Sequence, residues 1–313
     1  MPFEPVILFF VLGLLAGVVR SDLKIPGVLY ESLSIFLLLA IGLKGGIELA
    51  RYPLASIAGP ALVIVLVAML IPVAGFFILS RAGRLARPDA ASIAAHYGSV
   101  SVVTFAVAAS FLADQGEAVE GYMVVFLVLL EFPALVLGVV LARKGTGDTR
   151  WGHLLHEVLA GKSIVLLVGG LLIGWIAGAE GIKPLDSLFF DLFKGVLAFF
   201  LLEMGLVVAS RLGDLRRAGA FLLGFAIAMP VGAGLLGIVT GHLLGLSTGG
   251  TAILAAIYAS ASYIAAPAAM RIAIPEANPA LSIGAVLGIT FPFNLLVGIP
   301  LYHWVAVRLS GGL

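Results

Sequence analysis

The sequence predicts an all-α polytopic membrane protein of ten transmembrane helices, built as a 5+5 inverted repeat in which two helices are broken. Three observations predict it. Of 313 residues, 61% are hydrophobic and 11% charged, against about 25% charged in a soluble domain, and mean hydropathy is +1.17. Ten apolar runs approach the roughly 20 residues that cross a bilayer core. Finally, Ala94-Ala95-His96-Tyr97-Gly98-Ser99-Val100-Ser101-Val102-Val103 returns 161 residues later as Ala255-Ala256-Ile257-Tyr258-Ala259-Ser260-Ala261-Ser262-Tyr263-Ile264.

The predicted spans are 4–19, 28–50, 54–80, 89–112, 121–143, 162–179, 186–210, 217–243, 249–273 and 279–308. The first is short and ends at Arg20. It lacks a basic segment before it and a small-residue cleavage site after it, so it is expected to be retained as a span. The second holds Glu31, Lys44 and Glu48 among apolar residues, and the third runs into Arg81, Arg84 and Arg87. The fourth and ninth contain the repeated motif. The fifth contains Glu131-Phe132-Pro133, and the sixth starts at Lys162. The seventh holds Asp191, Lys194 and Glu203. The eighth begins at Arg217-Ala218-Gly219, and the tenth contains Thr290-Phe291-Pro292-Phe293-Asn294.

The segments after spans one, three, five, seven and nine carry 13 basic residues, whereas the other side carries 3: Arg51, Lys183 and Arg308. The positive-inside rule then puts both termini outside and the segment around 144–161 in the cytoplasm. The loop with Asp114, Glu117 and Glu120 is acidic without a basic residue, as suits an outer loop. Leu38–Leu43 resembles Leu201–Leu206, Ala58-Gly59 and Ala68-Met69 reappear as Ala218-Gly219 and Ala228-Met229, and Phe132-Pro133 reappears as Phe291-Pro292. The halves are 1–145 and 162–313, joined by a short cytoplasmic linker, 146–161. An odd number of spans per half makes the repeat inverted.

Each motif copy carries Ser-x-Ser. Residues two apart diverge by roughly 200° on a helix but point the same way on an extended chain, so paired hydroxyls require both helices to open. Opened helices expose N–H groups whose dipole favours an anion without formal charge. The candidate anion-binding residues are Gly98, Ser99, Val100, Ser101, Ala259, Ser260, Ala261 and Ser262. Small residues at such positions also serve close helix packing. Pro267 supports a break just before it; the first copy has Ala106 there and depends on Gly98. Neither motif contains Lys or Arg, so a bound anion needs a counter-charge, which a co-bound cation supplies. Among the intramembrane carboxylates, Glu31, Glu48 and Asp191 lie near span ends and can reach solvent. Glu131 is deeper, beside a proline, and its repeat equivalent is Thr290, with Asn294 one turn on. Such oxygen-rich groups suit a hard cation or pack between helices. The candidate cation ligands are Ser101, Thr104, Glu131, Thr290 and Asn294. His96 is expected to be a hydrogen-bonded structural residue.

Several classes are excluded or weakened. Cysteine is absent, so disulfides and thiolate sites are too. A net charge of +1 offers no field for nucleic acid. No P-loop, Gly-x-Ser-x-Gly elbow or His-Glu-x-x-His motif occurs, so neither an organic cofactor nor a resident metal centre is expected. An intramembrane enzyme would have only His96 with Ser99 as a base and nucleophile. A channel is a further alternative.

The run Ala94–Phe105, the run Ala261–Arg271, and Ile274-Pro275-Glu276-Ala277-Asn278-Pro279-Ala280 resemble the two motifs of the SbtA-type sodium-dependent bicarbonate transporters. The resemblance covers nearly the whole chain. It implies a core domain moving against a gate domain, a homotrimer, and uptake of bicarbonate with sodium at the plasma membrane. It also implies a PII-like regulatory partner on the cytoplasmic side, where the segment 144–161 is shorter than in cyanobacterial members. Another small anion on the same scaffold, a short carboxylate or sulfate, is the alternative substrate.

Overall fold

A computed structural model describes residues 5–142, 152, 156 and 159–311. Most of the linker 146–161, His153 included, lies outside the described residues. Among those described, every regular element is helical. Eight helices are long and apolar enough to cross a membrane: Gly27–Leu49, Leu54–Ala82, Arg87–Asp114, Met123–Ala142, Lys162–Leu185, Phe193–Leu212, Gly219–Leu243 and Pro279–Ser310. Two of the ten predicted spans do not reach that length. The first, α1 (Pro5–Val18), has 14 residues. The ninth is split into α11 (Thr248–Ala259) and α12 (Ala265–Ala273).

The remaining elements follow from local chemistry. Helix α2 is Gly27–Leu49. The third span joins α3 (Leu54–Ala68) to α4 (Leu70–Phe77) and ends in a π turn, Ile78–Ala82. The fourth is α5 (Arg87–Gly98) and α6 (Val102–Asp114). The fifth is α7 (Met123–Glu131) and α8 (Pro133–Ala142), parted at Phe132 because Pro133 lacks an N–H. Helix α9 is Lys162–Ile182. Helix α10, Phe193–Leu243, runs 51 residues but turns at Gly219 (φ 74°, ψ 158°), a conformation open to glycine. The last span alternates α13 (Pro279–Ala285), a π turn Val286–Thr290, α14 (Phe291–Phe293), a π turn Asn294–Gly298 and α15 (Ile299–Ser310). Widened turns of this kind recur where a proline or a functional group interrupts a helix.

Close backbone packing fixes the bundle. On α2 and α9, Gly42 and Gly46 face Gly170 and Gly174, each pair four residues apart. A Cβ on Gly42 would lie 2.7 Å from the Leu167 carbonyl oxygen and 3.0 Å from Gly170 Cα. On α1 and α10, Gly13 faces the Leu202 carbonyl and Gly205 faces the Phe10 carbonyl. Lipid offers no hydrophobic drive for helices to associate, so close van der Waals contact between small residues does the work. A Gly42→Val change should therefore destabilise the fold by about 1–3 kcal/mol, the usual cost of overpacking. Thermal unfolding in detergent checks this; an unchanged midpoint would show that the two helices can separate freely.

Burial ranks the spans. Across the most apolar 18 residues of Arg87–Asp114, 94% are buried, against 17% in Lys162–Leu185. In α11, every residue from Gly249 to Ala259 is buried. The broken helices thus sit inside the bundle, while Leu12, Leu62, Leu66 and Ile176 present an exposed apolar surface to lipid.

Candidate functional site

Both motifs open at their serines. Helix α5 stops at Gly98, Ser99 is extended (φ −87°, ψ 173°), and α6 starts at Val102. Helix α11 stops at Ala259, Ser260 is extended (φ −76°, ψ 167°), and α12 starts at Ala265. Pro267 falls in the first turn of α12, where a missing N–H costs little. Gly98 acts by close approach: a Cβ there would lie 2.7 Å from Pro72 Cβ and Cγ and 2.8 Å from Ala134 Cβ.

The two openings touch. The Ser101 N–H donates to Ser260 Oγ at 2.9 Å, and the Ser262 N–H donates to the His96 carbonyl at 2.8 Å. All four serines are buried, at 1–4% exposure, so this contact lies deep in the protein. Two helix N-termini, α6 and α12, begin beside it.

The hydroxyls divide into two kinds. Ser99 Oγ donates to the Glu131 carbonyl at 3.1 Å, and Ser260 Oγ donates to the Ile257 carbonyl at 2.7 Å. Those protons are committed. Ser101 Oγ instead accepts from the Thr104 N–H at 3.1 Å, and Ser262 Oγ accepts from the Ala266 N–H at 3.1 Å. A hydroxyl has one proton to give, and in Ser101 and Ser262 it remains available. Among the described residues, none accepts from the N–H groups of Val102 and Val103, the first two of α6. Hydroxyl protons and amide donors at a helix N-terminus form the chemistry of an anion site.

The candidate cation ligands are distributed. Glu131 is 2% exposed, and its Oε2 has no hydrogen-bond partner. Leu135 donates its N–H to the Phe132 carbonyl, which leaves the Glu131 carbonyl for Ser99. Glu131 is thus anchored to the first opening by its backbone while one carboxylate oxygen stays unpartnered. By contrast, Glu31 and Asp191 are exposed, and Glu48 and Glu203 half-buried. Asn294 belongs to the second opening: its Nδ2 donates to the Ala259 carbonyl at 2.8 Å, and its Oδ1 accepts from the Tyr302 hydroxyl at 3.1 Å. Thr104 is buried in the first turn of α6. Thr290 lies apart from both openings, its hydroxyl 2.6 Å from the Tyr97 hydroxyl and donating to the Ala226 carbonyl at 2.6 Å. His96 is hydrogen-bonded through Nδ1 to the Ser92 carbonyl at 2.7 Å, as a structural histidine would be, but its buried Nε2 has no partner.

Sequence reasoning missed three tyrosines. Tyr258 donates to the Ile64 carbonyl at 2.6 Å, and Tyr97 reaches Ala226 through Thr290. Their signal was available, since tyrosine is one of the identities between the copies. The Tyr263 hydroxyl is buried within the second opening, where it approaches Ser101 of the first without a well-formed hydrogen bond, and its copy in the first motif, Val102, gave no hint of it.

No curated protein matches the chain. The Na+-dependent bicarbonate transporter superfamily matches it over residues 5–307. That is a family of transporters, not of enzymes, and its description names both sodium and bicarbonate. A multi-pass helical bundle with two interior helices opened against each other at amide and hydroxyl donors agrees with the match: the chain belongs to the Na+-dependent bicarbonate transporter superfamily.

Proposed function

We propose that this protein is a sodium-coupled bicarbonate symporter, taking the anion up across the plasma membrane by alternating access. The observation that carries the reading is the buried contact between the two openings, Ser101 N–H to Ser260 Oγ, with free donors around it and no Lys or Arg in either motif. In this reading Ser101 and Ser262 donate hydroxyl protons to the anion. The backbone around Gly98, Val100, Ala259 and Ala261 shapes the site, and Ser99 and Ser260 hold the two openings in place. Sodium binds beside the anion and separates it from the Glu131 carboxylate, its principal ligand, with Ser101, Thr104 and Asn294 the further oxygen ligands. Thr290 shapes the site through Tyr97.

The inverted repeat, 1–145 against 162–313, is part of the proposal. Packing supports it. Gly42 of the first half meets Gly170 of the second, and Gly205, the sequence equivalent of Gly42, meets Gly13 of the first half. Each motif tyrosine likewise reaches a carbonyl in the opposite half. The same reading includes core and gate domains, a homotrimer, a PII-like partner at the cytoplasmic linker, and both termini outside.

The test is uptake by purified protein in liposomes. Labelled bicarbonate should enter at a rate that rises with external sodium and saturates. Undiminished uptake with choline in place of sodium would end the symport reading. Sulfate or acetate carried in preference to bicarbonate would move the substrate to another small anion that the same donors fit.

A further inference from the structure

A cavity of about 460 Å³ opens between α2, α6 and the start of α10. One wall is α6, presenting Ala113, Ser110, Ala109, Ala106 and Phe105 in descending order. Its floor is one turn from the serine opening, because the Phe105 N–H bonds the Ser101 carbonyl at 3.0 Å. Lys44 of α2 faces this wall, one turn deeper than Glu48, and is exposed to the cavity.

The other charged groups lining the cavity have partners. Lys194 is bonded to Asp114. Glu48 pairs with Arg51 at 3.0 Å, and Glu117 lies 2.9 Å from His303 Nε2. Glu120 accepts from the Ser247 N–H at 2.6 Å and from its hydroxyl at 3.0 Å. Among the described residues Lys44 has no ion pair or hydrogen bond at its ammonium group, although a lysine inside a span ordinarily finds a partner or a water-filled space.

We propose that this cavity is the access vestibule for the transported anion and that Lys44 is its capture residue, a binding site for small oxyanions one stage before the serine openings. The proposal rests on the anion-transport reading. A lysine ammonium is a mobile point charge with three donors. It concentrates anions at the mouth and hands them on, because the serine site beyond offers more donors in fixed geometry. The groove is lined with small alanines, which leave room for a compact oxyanion to pass.

The absence of native cysteine allows a clean test. A single cysteine, Ala109→Cys, placed in nanodisc-embedded protein, is reacted with anionic and with cationic methanethiosulfonate reagents of equal size. Lys44→Gln should lower the anionic-to-cationic rate ratio about fivefold, the effect of one unit charge acting over about 8 Å of water on two probes of opposite sign. Lys44→Arg should restore it. In liposomes, Lys44→Gln should raise the KM for bicarbonate about three- to tenfold with Vmax within twofold of the parent protein. Failure of either reagent to label the introduced thiol would show that the cavity is closed to water and would overturn the proposal. A ratio indifferent to Lys44→Gln would overturn it as well, as would a changed ratio with unchanged KM. Loss of the ratio in a protein that carries sulfate or acetate but no bicarbonate would uphold Lys44 as the capture residue while refuting the bicarbonate reading.

Discussion

Replacing Glu131 with glutamine should raise the sodium concentration for half-maximal uptake by roughly ten- to a hundredfold. The side chain keeps its size and one carbonyl oxygen but loses its charge. Interactions with a charged group are worth about 1.5–3 kcal/mol, and each 1.36 kcal/mol is a decade. Glu131 is the sole carboxylate within the described spans that is fully buried, and its Oε2 has no protein partner. Burial of an ionised group without compensation is costly, so a cation is the natural complement. The measurement is a sodium titration of bicarbonate uptake at saturating anion, with the KM for bicarbonate at saturating sodium as the control. A specific sodium ligand shifts the first and leaves the second nearly unchanged. Unaltered sodium dependence would remove Glu131 from the cation site.

Gly98→Leu should abolish uptake while leaving much of the protein able to fold. The new Cβ alone would collide with Pro72 and Ala134, and the rest of the side chain would push α5 away from α4 and α8. That shift displaces Ser99 from the Glu131 carbonyl and Ser101 from Ser260, which are held by single hydrogen bonds at 3.1 and 2.9 Å. Overpacking of this kind costs about 1–3 kcal/mol, and misplacing donors by an ångström is enough to lose a binding geometry. Gly98→Ala should be intermediate. Size-exclusion profiles of the variants read folding, and liposome uptake reads function. A leucine variant with parental uptake would mean that the opening does not depend on this approach.

Much of this arrangement is written locally in the chain. The Ser-x-Ser spacing called for extended backbone, and both helices do break there, because two hydroxyls on one side of a chain cannot be had on a helix. Pro267 marked the second break by its missing N–H. Less local were the partners. The spacing suggested four equivalent hydroxyls, but Ser99 and Ser260 give their protons to the Glu131 and Ile257 carbonyls. Nothing within the motif distinguishes them from Ser101 and Ser262. Thr290 looked equivalent to Glu131 by repeat position, yet Tyr97 and Ala226, 193 and 64 residues away, occupy its hydroxyl. The glycine pairs on α2 and α9 were visible as four-residue spacings, but which helix faced which was not. The first span, expected to be short at 4–19, is the 14-residue helix Pro5–Val18.

The contact between the openings also has a timing. Ser101 and Ser260 lie 159 residues apart, and a ribosome adding about 5–20 residues per second needs roughly 8–30 s to synthesise the stretch between them. For that interval residues 99–101 have no second opening to meet, and unsatisfied backbone groups are expensive in hydrocarbon. The fourth span therefore enters the bilayer in a state different from its final one, either as a continuous helix or with its polar break held in water by the insertion machinery. Docking of the ninth span then completes the hydrogen bonds. The binding centre thus matures only after the ninth span is made, and a ribosome stalled before Ser260 leaves behind a membrane-inserted chain with Ser99 and Ser101 present and no site.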